Sequence, residues 1–359
     1  MELAYEIHPV CPISADYARW RLRGRITRLI DLQMPGAPRY KIRAAVERYY
    51  ISKACEASWE RPRPLLLGPA EAKLWGELHG LERSGAQTAT KAWRLVWAAV
   101  VQAYTGLSPD EVRRAAGSLV ARPPRCGPSL ARVGDFSQSP AEVPLARLHK
   151  VGGPEKTLRV LLRYGSVGLS TRALGIPFAG AEKLRTEFGF TVETFASPID
   201  ARFLGKPGAA FYSPFYDTDA PFGSLGSFFG ANGVPPSPPP PGGWVCTPPH
   251  VENFLDRAVR AVLGAAEKTA GAGFRAIFVA PHWEDADFYA RMRASPYVVA
   301  TTKTTPKTFW YEDPLGRQRS GVRSIIWGVA SDPQEATLLA EAIRALVASG
   351  APRGSPRRR

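Results

Sequence analysis

The sequence predicts an α/β domain built on a sheet of parallel strands, preceded by a basic, mostly helical module. Three observations predict it. From about residue 155 onward, short β-branched apolar runs alternate with helical stretches, the pattern of strands joined by crossover helices. Before residue 121, apolar residues recur every three to four positions with arginines between them. The 359-residue chain also carries a net charge of +15, with the basic excess in residues 1–150 and 301–359 and a nearly neutral middle. Basic flanks of this kind suit a polyanionic partner; the plain alternative is an Arg-rich solvated surface. A composition 45% hydrophobic and 22% charged excludes wholesale disorder, collagen and coiled coil.

The elements follow in order. Ala15 to Leu32 reads as a helix, with Tyr17, Trp20, Leu22, Ile26, Leu29 and Ile30 set among Arg19, Arg21, Arg23, Arg25 and Arg28, and Pro35 and Pro38 end it. Tyr40 to Cys55, Pro69 to Gly80 and Ala89 to Tyr104 continue the helical pattern, broken by Arg61-Pro62-Arg63-Pro64. Ser108 followed by Glu111 has the spacing of a capping box. Residues 1–121 are therefore expected to form the basic helical module. Residues 122–154, rich in Pro, Gly and Ser, are expected to be a linker or long surface loop. Residues 155–349 make the α/β domain: Thr157 to Tyr164 suits a strand or a helix, and Ala179 to Phe188 is helical. Phe190 to Ala196 is strand-like, Phe254 to Lys268 helical, and Phe274 to Ala280, Tyr297 to Thr302 and Ser324 to Ala330 are strands before a last helix from Pro333 to Ser349. Gly233 to Gly243 is a polyproline interruption, and residues 350–359 are a basic tail.

Other classes fall away. No apolar run reaches 18 residues, so no transmembrane helix is expected, and Met1 to Val10, with Glu2, Glu6 and His8, lacks the basic start of a secretory signal. Cys11, Cys55, Cys126 and Cys246 are scattered without a CxxC pair, which excludes a zinc knuckle and favours a reducing compartment. Asp217 and Asp219 have no His or carboxylate cluster around them in sequence, and no metal site is expected.

The chemistry is expected at Thr247-Pro248-Pro249-His250, where a short strand, Trp244-Val245-Cys246, meets a helix. Ligands of open α/β sheets sit at the carboxyl ends of strands. A polar-Pro-Pro-aromatic turn there is the motif of enzymes that methylate the exocyclic amine of adenine or cytosine. That amine is a poor nucleophile because its lone pair is delocalised into the ring. The polar side chain and the first proline's carbonyl would accept its two N–H bonds, the prolines stiffen the turn, and the fourth residue stacks on the base. Alone, a Pro-Pro turn in a chain with 34 prolines is a weak signal and reads first as a plain loop.

Further blocks stand with it: Glu193-Thr194-Phe195-Ala196-Ser197-Pro198-Ile199-Asp200, then Asp217-Thr218-Asp219-Ala220-Pro221-Phe222-Gly223-Ser224-Leu225-Gly226, then Phe278-Val279-Ala280-Pro281-His282-Trp283. In this order, over roughly residues 155–332, they resemble the phosphorylated C-terminal-domain-interacting factor 1 family of cap-specific mRNA adenosine N6-methyltransferases, without a WW domain. The resemblance implies a Rossmann-like class I methyltransferase domain that uses S-adenosylmethionine and acts beside the cap of mRNA, on N6 of 2′-O-methyladenosine, in the nucleus or another intracellular RNA-processing compartment. It implies that Thr247, Pro248, Pro249 and His250 line the acceptor pocket. Glu193, Phe195, Ala196, Ser197 and Pro198 would flank the cofactor, with Glu193 on its ribose hydroxyls, and Asp217, Asp219, Phe222, Gly223 and Ser224 would enclose it. The family has Asn-Pro-Pro-Phe where this chain has Thr-Pro-Pro-His. That departure leaves open a re-tuned enzyme, a different target base position, or a pseudo-methyltransferase that binds capped RNA or scaffolds a partner.

Capped, single-stranded mRNA is the expected partner, and no membrane is. Trp283 suits stacking on a base or cap as well as a core-edge place, and His282 reads as a loop histidine or a catalytic one. Arg21 and Arg25 suit phosphate contacts or a solvated helix face. Lys303, Lys307, Arg317, Arg319 and Arg323 surround Phe309, Trp310 and Tyr311, a mixture that suits single-stranded RNA or a plain basic hairpin.

Overall fold

The computed structural model describes Trp20 and residues 125–127, 130–133, 136–167, 174–229, 242–269 and 273–352. The expected helices of residues 1–121, apart from Trp20, residues 233–241 of the polyproline interruption and the last residues of the basic tail lie outside the described residues. The chain divides into two compact units, Met1–Ser170 and Thr171–Arg359.

In the first unit, β1 (Arg125–Gly127), β2 (Leu130–Val133) and β3 (Phe136–Gln138) form an antiparallel three-stranded sheet. They occupy part of the stretch expected as a linker; strands of three and four residues among Pro and Gly leave no periodicity to read. Helix α1 (Leu145–Val167) follows, kinked where Gly153 takes φ +76° ahead of Pro154. The proline suits the first turn of the second half, where no N–H is needed. Leu158, Val160, Leu161, Leu162 and Tyr164 are all buried, so this stretch is a core helix, and Phe136 meets Trp20 edge-on at 5.4 Å.

The second unit is a three-layer α/β structure. Helix α2 (Phe178–Phe188) ends at Gly189 in the left-handed region, and β4 (Phe190–Glu193) starts directly after it. Next come β5 (Ala210–Phe211), the single-turn α3 (Tyr216–Asp219), β6 (Gly243–Cys246) and α4 (Glu252–Lys268). Then follow β7 (Arg275–Pro281), α5 (Asp287–Ala294), β8 (Val298–Thr304), the hairpin β9 (Trp310–Glu312) and β10 (Gln318–Ser320), β11 (Ser324–Ala330) and α6 (Ala336–Ser349).

The main sheet has the order β5-β4-β6-β7-β11-β8. β5, β4, β6 and β7 run parallel. The expectation of an all-parallel sheet is corrected at one strand: β11 is antiparallel to both β7 and β8. Seven consecutive buried residues look the same whichever way a strand runs, so the sequence carries no direction here.

Packing explains the strand composition. On one face Val245, Ile277, Val279 and Ile326 meet Leu184, Leu339, Ile343 and Leu346 of α2 and α6. The alternate residues, Trp244, Phe278 and Trp327, are aromatic: Phe278 lies 6.2 Å from Trp327, and Trp244 lies 4.8 Å from Phe274. Helices α4 and α5 pack on each other, and α4 presents a stripe of Leu255, Ala258, Val259, Val262 and Ala266. β8 is the half-buried edge strand and carries Lys303, a charge that discourages further pairing.

Candidate active site

In the strand order above, β4 is followed in the chain by β5 on one side and by β6 on the other. The carboxyl ends of β4 and β6 therefore flank a topological switch point, where ligands of open sheets bind. Each block singled out in the sequence follows a parallel strand and reaches that same rim: residues 194–200 after β4, 212–226 after β5, 247–250 after β6 and 282–284 after β7.

After β6, Thr247 and Pro249 are half-buried, Pro248 is buried and His250 is exposed. The Pro249 carbonyl accepts the Val251 N–H at 2.8 Å, and the Val251 carbonyl accepts from Leu255 at 2.8 Å, which launches α4. The Pro248 carbonyl and the Thr247 hydroxyl have no hydrogen-bond donor among the described residues. These are the two acceptors expected for an exocyclic amine. His250 stands edge-on to Tyr311 at 6.3 Å, and Tyr311 is fixed by a 2.7 Å bond to the Ser324 hydroxyl. Crowding around His250 lowers its pKa, to about 4. Its ring keeps contact with solvent, which softens that shift, but the direction leaves the imidazole neutral at pH 7. Burial pushes the Tyr311 phenol up to about 12, so it too is uncharged.

At the end of β4, Glu193 is engaged in the fold. Its two carboxylate oxygens accept the backbone N–H groups of Arg202 (3.0 Å) and Phe203 (2.8 Å), and burial raises its pKa to about 7. Arg202 is itself buried; its guanidinium donates to the carbonyls of Ile176 (2.8 Å) and Glu312 (2.6 Å) and lies 4.1 Å over the Phe178 ring. Ser197 donates through its N–H and hydroxyl to Asp200 at 2.7 and 2.6 Å, closing the Ala196–Pro198 bend. Half-buried Phe195 sits in an aromatic cluster that sequence reasoning missed, with Phe228 at 4.9 Å, Phe254 at 5.3 Å and Phe229 at 5.7 Å. The Phe228-Phe229 pair just after the Gly-Ser-Leu-Gly block was the available signal.

The 217–224 block folds back on β5. Ser224 bridges to Phe211, its hydroxyl meets that of Ser213 at 2.6 Å, and Leu225 donates to the Phe211 carbonyl at 2.8 Å. Asp219 is buried and accepts from the Thr218 hydroxyl at 2.9 Å, whereas Asp217 is exposed and Phe222 is buried. Gly223 takes φ +96° with open space where a Cβ would stand, so backbone conformation, not room, calls for glycine.

Two polar groups at the switch point bear on whether a cofactor fits. The Thr194 hydroxyl is buried, leaning on Cys246 without reaching hydrogen-bond geometry, and has no partner. Burial pushes the Cys246 thiol up to about 12, so it is a neutral wall and not a nucleophile. An orphaned buried hydroxyl beside a half-buried aromatic fits a ligand with polar and aromatic parts. Glu193 does not add a free carboxylate to it.

After β7, Trp283 is 38% exposed with Phe288 at its edge, 6.0 Å away. His282 Nε2 lies 2.9 Å from Glu284 Oε1, and Lys303 on β8 reaches the same oxygen at 3.0 Å. Lys307 is exposed in the turn after β8. Arg317 and Arg319 both pair with the buried Asp313, at 2.7 and 2.9 Å, and hold the β9–β10 hairpin closed. Arg21 and Arg25 lie outside the described residues. Among the described residues no group of His, Cys, Asp and Glu could hold a metal ion, and no helix is long and apolar enough to cross a membrane.

No curated protein matches the chain. A family model described as "Phosphorylated CTD interacting factor 1 WW domain" matches residues 154–313, which run from the kink of α1 to just past β9 and contain the blocks at 193–200, 217–226, 247–250 and 281–283. Through that segment the chain is similar to the phosphorylated CTD interacting factor 1 family.

Proposed function

We propose that the chain is an RNA methyltransferase that moves a methyl group from S-adenosylmethionine to N6 of adenosine, or 2′-O-methyladenosine, next to the cap of mRNA. The observation that carries this reading is the pair of unengaged acceptors, the Pro248 carbonyl and the Thr247 hydroxyl, at the switch point of a mostly parallel sheet. The family match supports it.

Residues 194–198 and 217–224 would hold the cofactor, which supplies an electrophilic methyl on a sulfonium. Thr247 and Pro248 accept the two N–H bonds of the amine and turn its lone pair along the transfer axis. His250, neutral and braced by Tyr311, stacks on the base without repelling the positive charge that grows on nitrogen. No strong base is required, because the amine's proton becomes acidic once nitrogen is alkylated. Trp283, Lys303 and Lys307 would carry the RNA, and Arg21 and Arg25 of the 1–121 module would add phosphate contacts. The reading places the protein in mRNA processing, in the nucleus or an equivalent intracellular compartment.

The test uses labelled S-adenosylmethionine and two short RNAs that begin with 2′-O-methyladenosine, one capped and one not, digested afterwards to nucleosides. Label on adenine N6 of the capped RNA alone is expected; label on both RNAs moves the reading to a cap-indifferent amino methyltransferase. A second reading, cap-RNA binding without transfer, draws on Glu193, whose oxygens serve the 202–203 turn. RNA binding with no label in either RNA would establish it.

A further inference from the structure

Among the described residues, one ion-paired cluster on the rim stands outside the cofactor and acceptor sites. Three strands bring it together: β7 ends at Pro281 and delivers His282, Trp283 and Glu284; β8 delivers Lys303; and the start of β11 delivers Arg323, whose carbonyl accepts the His282 N–H at 3.0 Å. A single oxygen, Glu284 Oε1, lies between two nitrogens, His282 Nε2 at 2.9 Å and Lys303 Nζ at 3.0 Å. The Tyr289 hydroxyl stands 3.3 Å from the same imidazole nitrogen. Lys303 holds the Glu284 carboxyl below the usual carboxylate range.

We propose that this oxygen occupies the place of an RNA phosphate oxygen, and that Glu284 is a built-in competitor which RNA displaces from a His282–Lys303 phosphate subsite beside a Trp283 stacking platform. Exposure makes the displacement easy: the side chains of Glu284 and Lys303 are 62% and 57% exposed, and exposed pairs of this kind are weak. A backbone phosphodiester carries its single negative charge on two non-bridging oxygens, as the carboxylate does, and can take its place between the two nitrogens. The exposed Trp283 next in the chain offers a base a face, with Phe288 bracing its edge. Exposed Lys307 and Arg323, without an ion pair among the described residues, extend positive charge toward β8, while exposed Asp285 and Asp287 bound it on the other side. Without RNA, Glu284 keeps the lysine neutralised and so disfavours other anions. The inference shares its RNA partner with the function proposed above but does not require methyl transfer.

The experiment measures the Kd of a short capped single-stranded RNA by fluorescence anisotropy at one fixed salt concentration. The wild-type chain is compared with Glu284→Ala, Asp285→Ala, Lys303→Ala, the double variant Glu284→Ala/Lys303→Ala, and Trp283→Ala, with thermal melts to confirm folding. Glu284→Ala is expected to tighten binding about three- to fivefold, the range set by breaking an exposed pair. Asp285→Ala, which removes the same charge one residue away, is expected to change it less than twofold. The gain should vanish in the double variant, and Trp283→Ala should weaken binding about tenfold or more. Equal gains from Glu284→Ala and Asp285→Ala, or a gain that persists without Lys303, would overturn the subsite. Because the readout is binding, a chain that transfers no methyl but shows these shifts sinks the proposed activity and keeps the subsite.

Discussion

Glu193, at the strand end where a ribose contact is expected, also has a part in the fold. An acidic side chain at the end of β4 suggests a ribose contact, yet its oxygens cap two backbone N–H groups of the 202–203 turn. Burial raises its pKa to about 7 from an ordinary 4.5, so the folded protein holds a proton there that the unfolded chain has released. Its contribution to stability is complete below about pH 4.5 and is lost as pH rises to about 7. A shift of this size corresponds to about 3 kcal/mol. Thermal melts of Glu193→Gln against wild type across that window should therefore converge as pH rises. At pH 4.5 the variant should be the less stable by about 1–3 kcal/mol, because an amide N–H faces a backbone N–H. A constant difference across the window would show that Glu193 is ionised throughout. None of this is legible in the sequence, since both partners are main-chain groups of a turn. The Thr247–His250 segment was legible as a turn, because two prolines after a short apolar run end the strand; only the neighbouring blocks suggested a role for it.

At the scale of elements, long periodic segments were readable and short ones were not. α2, β4, α4, β7, β8, β11 and α6 lie where periodicity predicts them, because each buries a defined face or both faces. The eight-residue α5 and the two- and three-residue strands β5, β9 and β10 carry too little pattern, and a Pro-Gly background hid β1–β3. Arg202 is one of the groups that hold β9: its guanidinium ties the turn after β4 to the segment before α2 and to β9 through the Ile176 and Glu312 carbonyls, beside the Gly175–Glu312 backbone pair. Arg202→Met should cost about 1–3 kcal/mol, read as a shift in the urea midpoint, because the buried Ile176 carbonyl loses its donor while the Glu312 carbonyl keeps the Gly175 N–H. It should also release Tyr311 on β9, and with it the brace on His250, so methyl transfer should fall more than RNA affinity. A variant as stable as wild type would show that the hairpin is held elsewhere.

Over the whole molecule, charge and fold are arranged separately. The net +15 was visible from composition, but which cations are available was not: Arg317 and Arg319 are occupied by Asp313, and Lys303 by Glu284. RNA affinity should therefore follow the few exposed cations of the rim and not the total. The slope of log K against log salt should lessen by about 0.7 when Lys303 is replaced by alanine, as for one lost single-strand phosphate contact. An unchanged slope would place the RNA elsewhere. The strand order carries a consequence of another kind, in time rather than space. β11 is synthesised last among the sheet strands, yet it stands between β7 and β8. Until residue 330 has left the ribosome, β7 has a bare edge, β8 has no neighbour in the sheet, and the inner faces of both await cover. Vectorial synthesis thus leaves the rim unfinished until nearly the end of translation, and a chain stopped short of β11 presents chaperones with an open, apolar sheet edge in place of a folded domain.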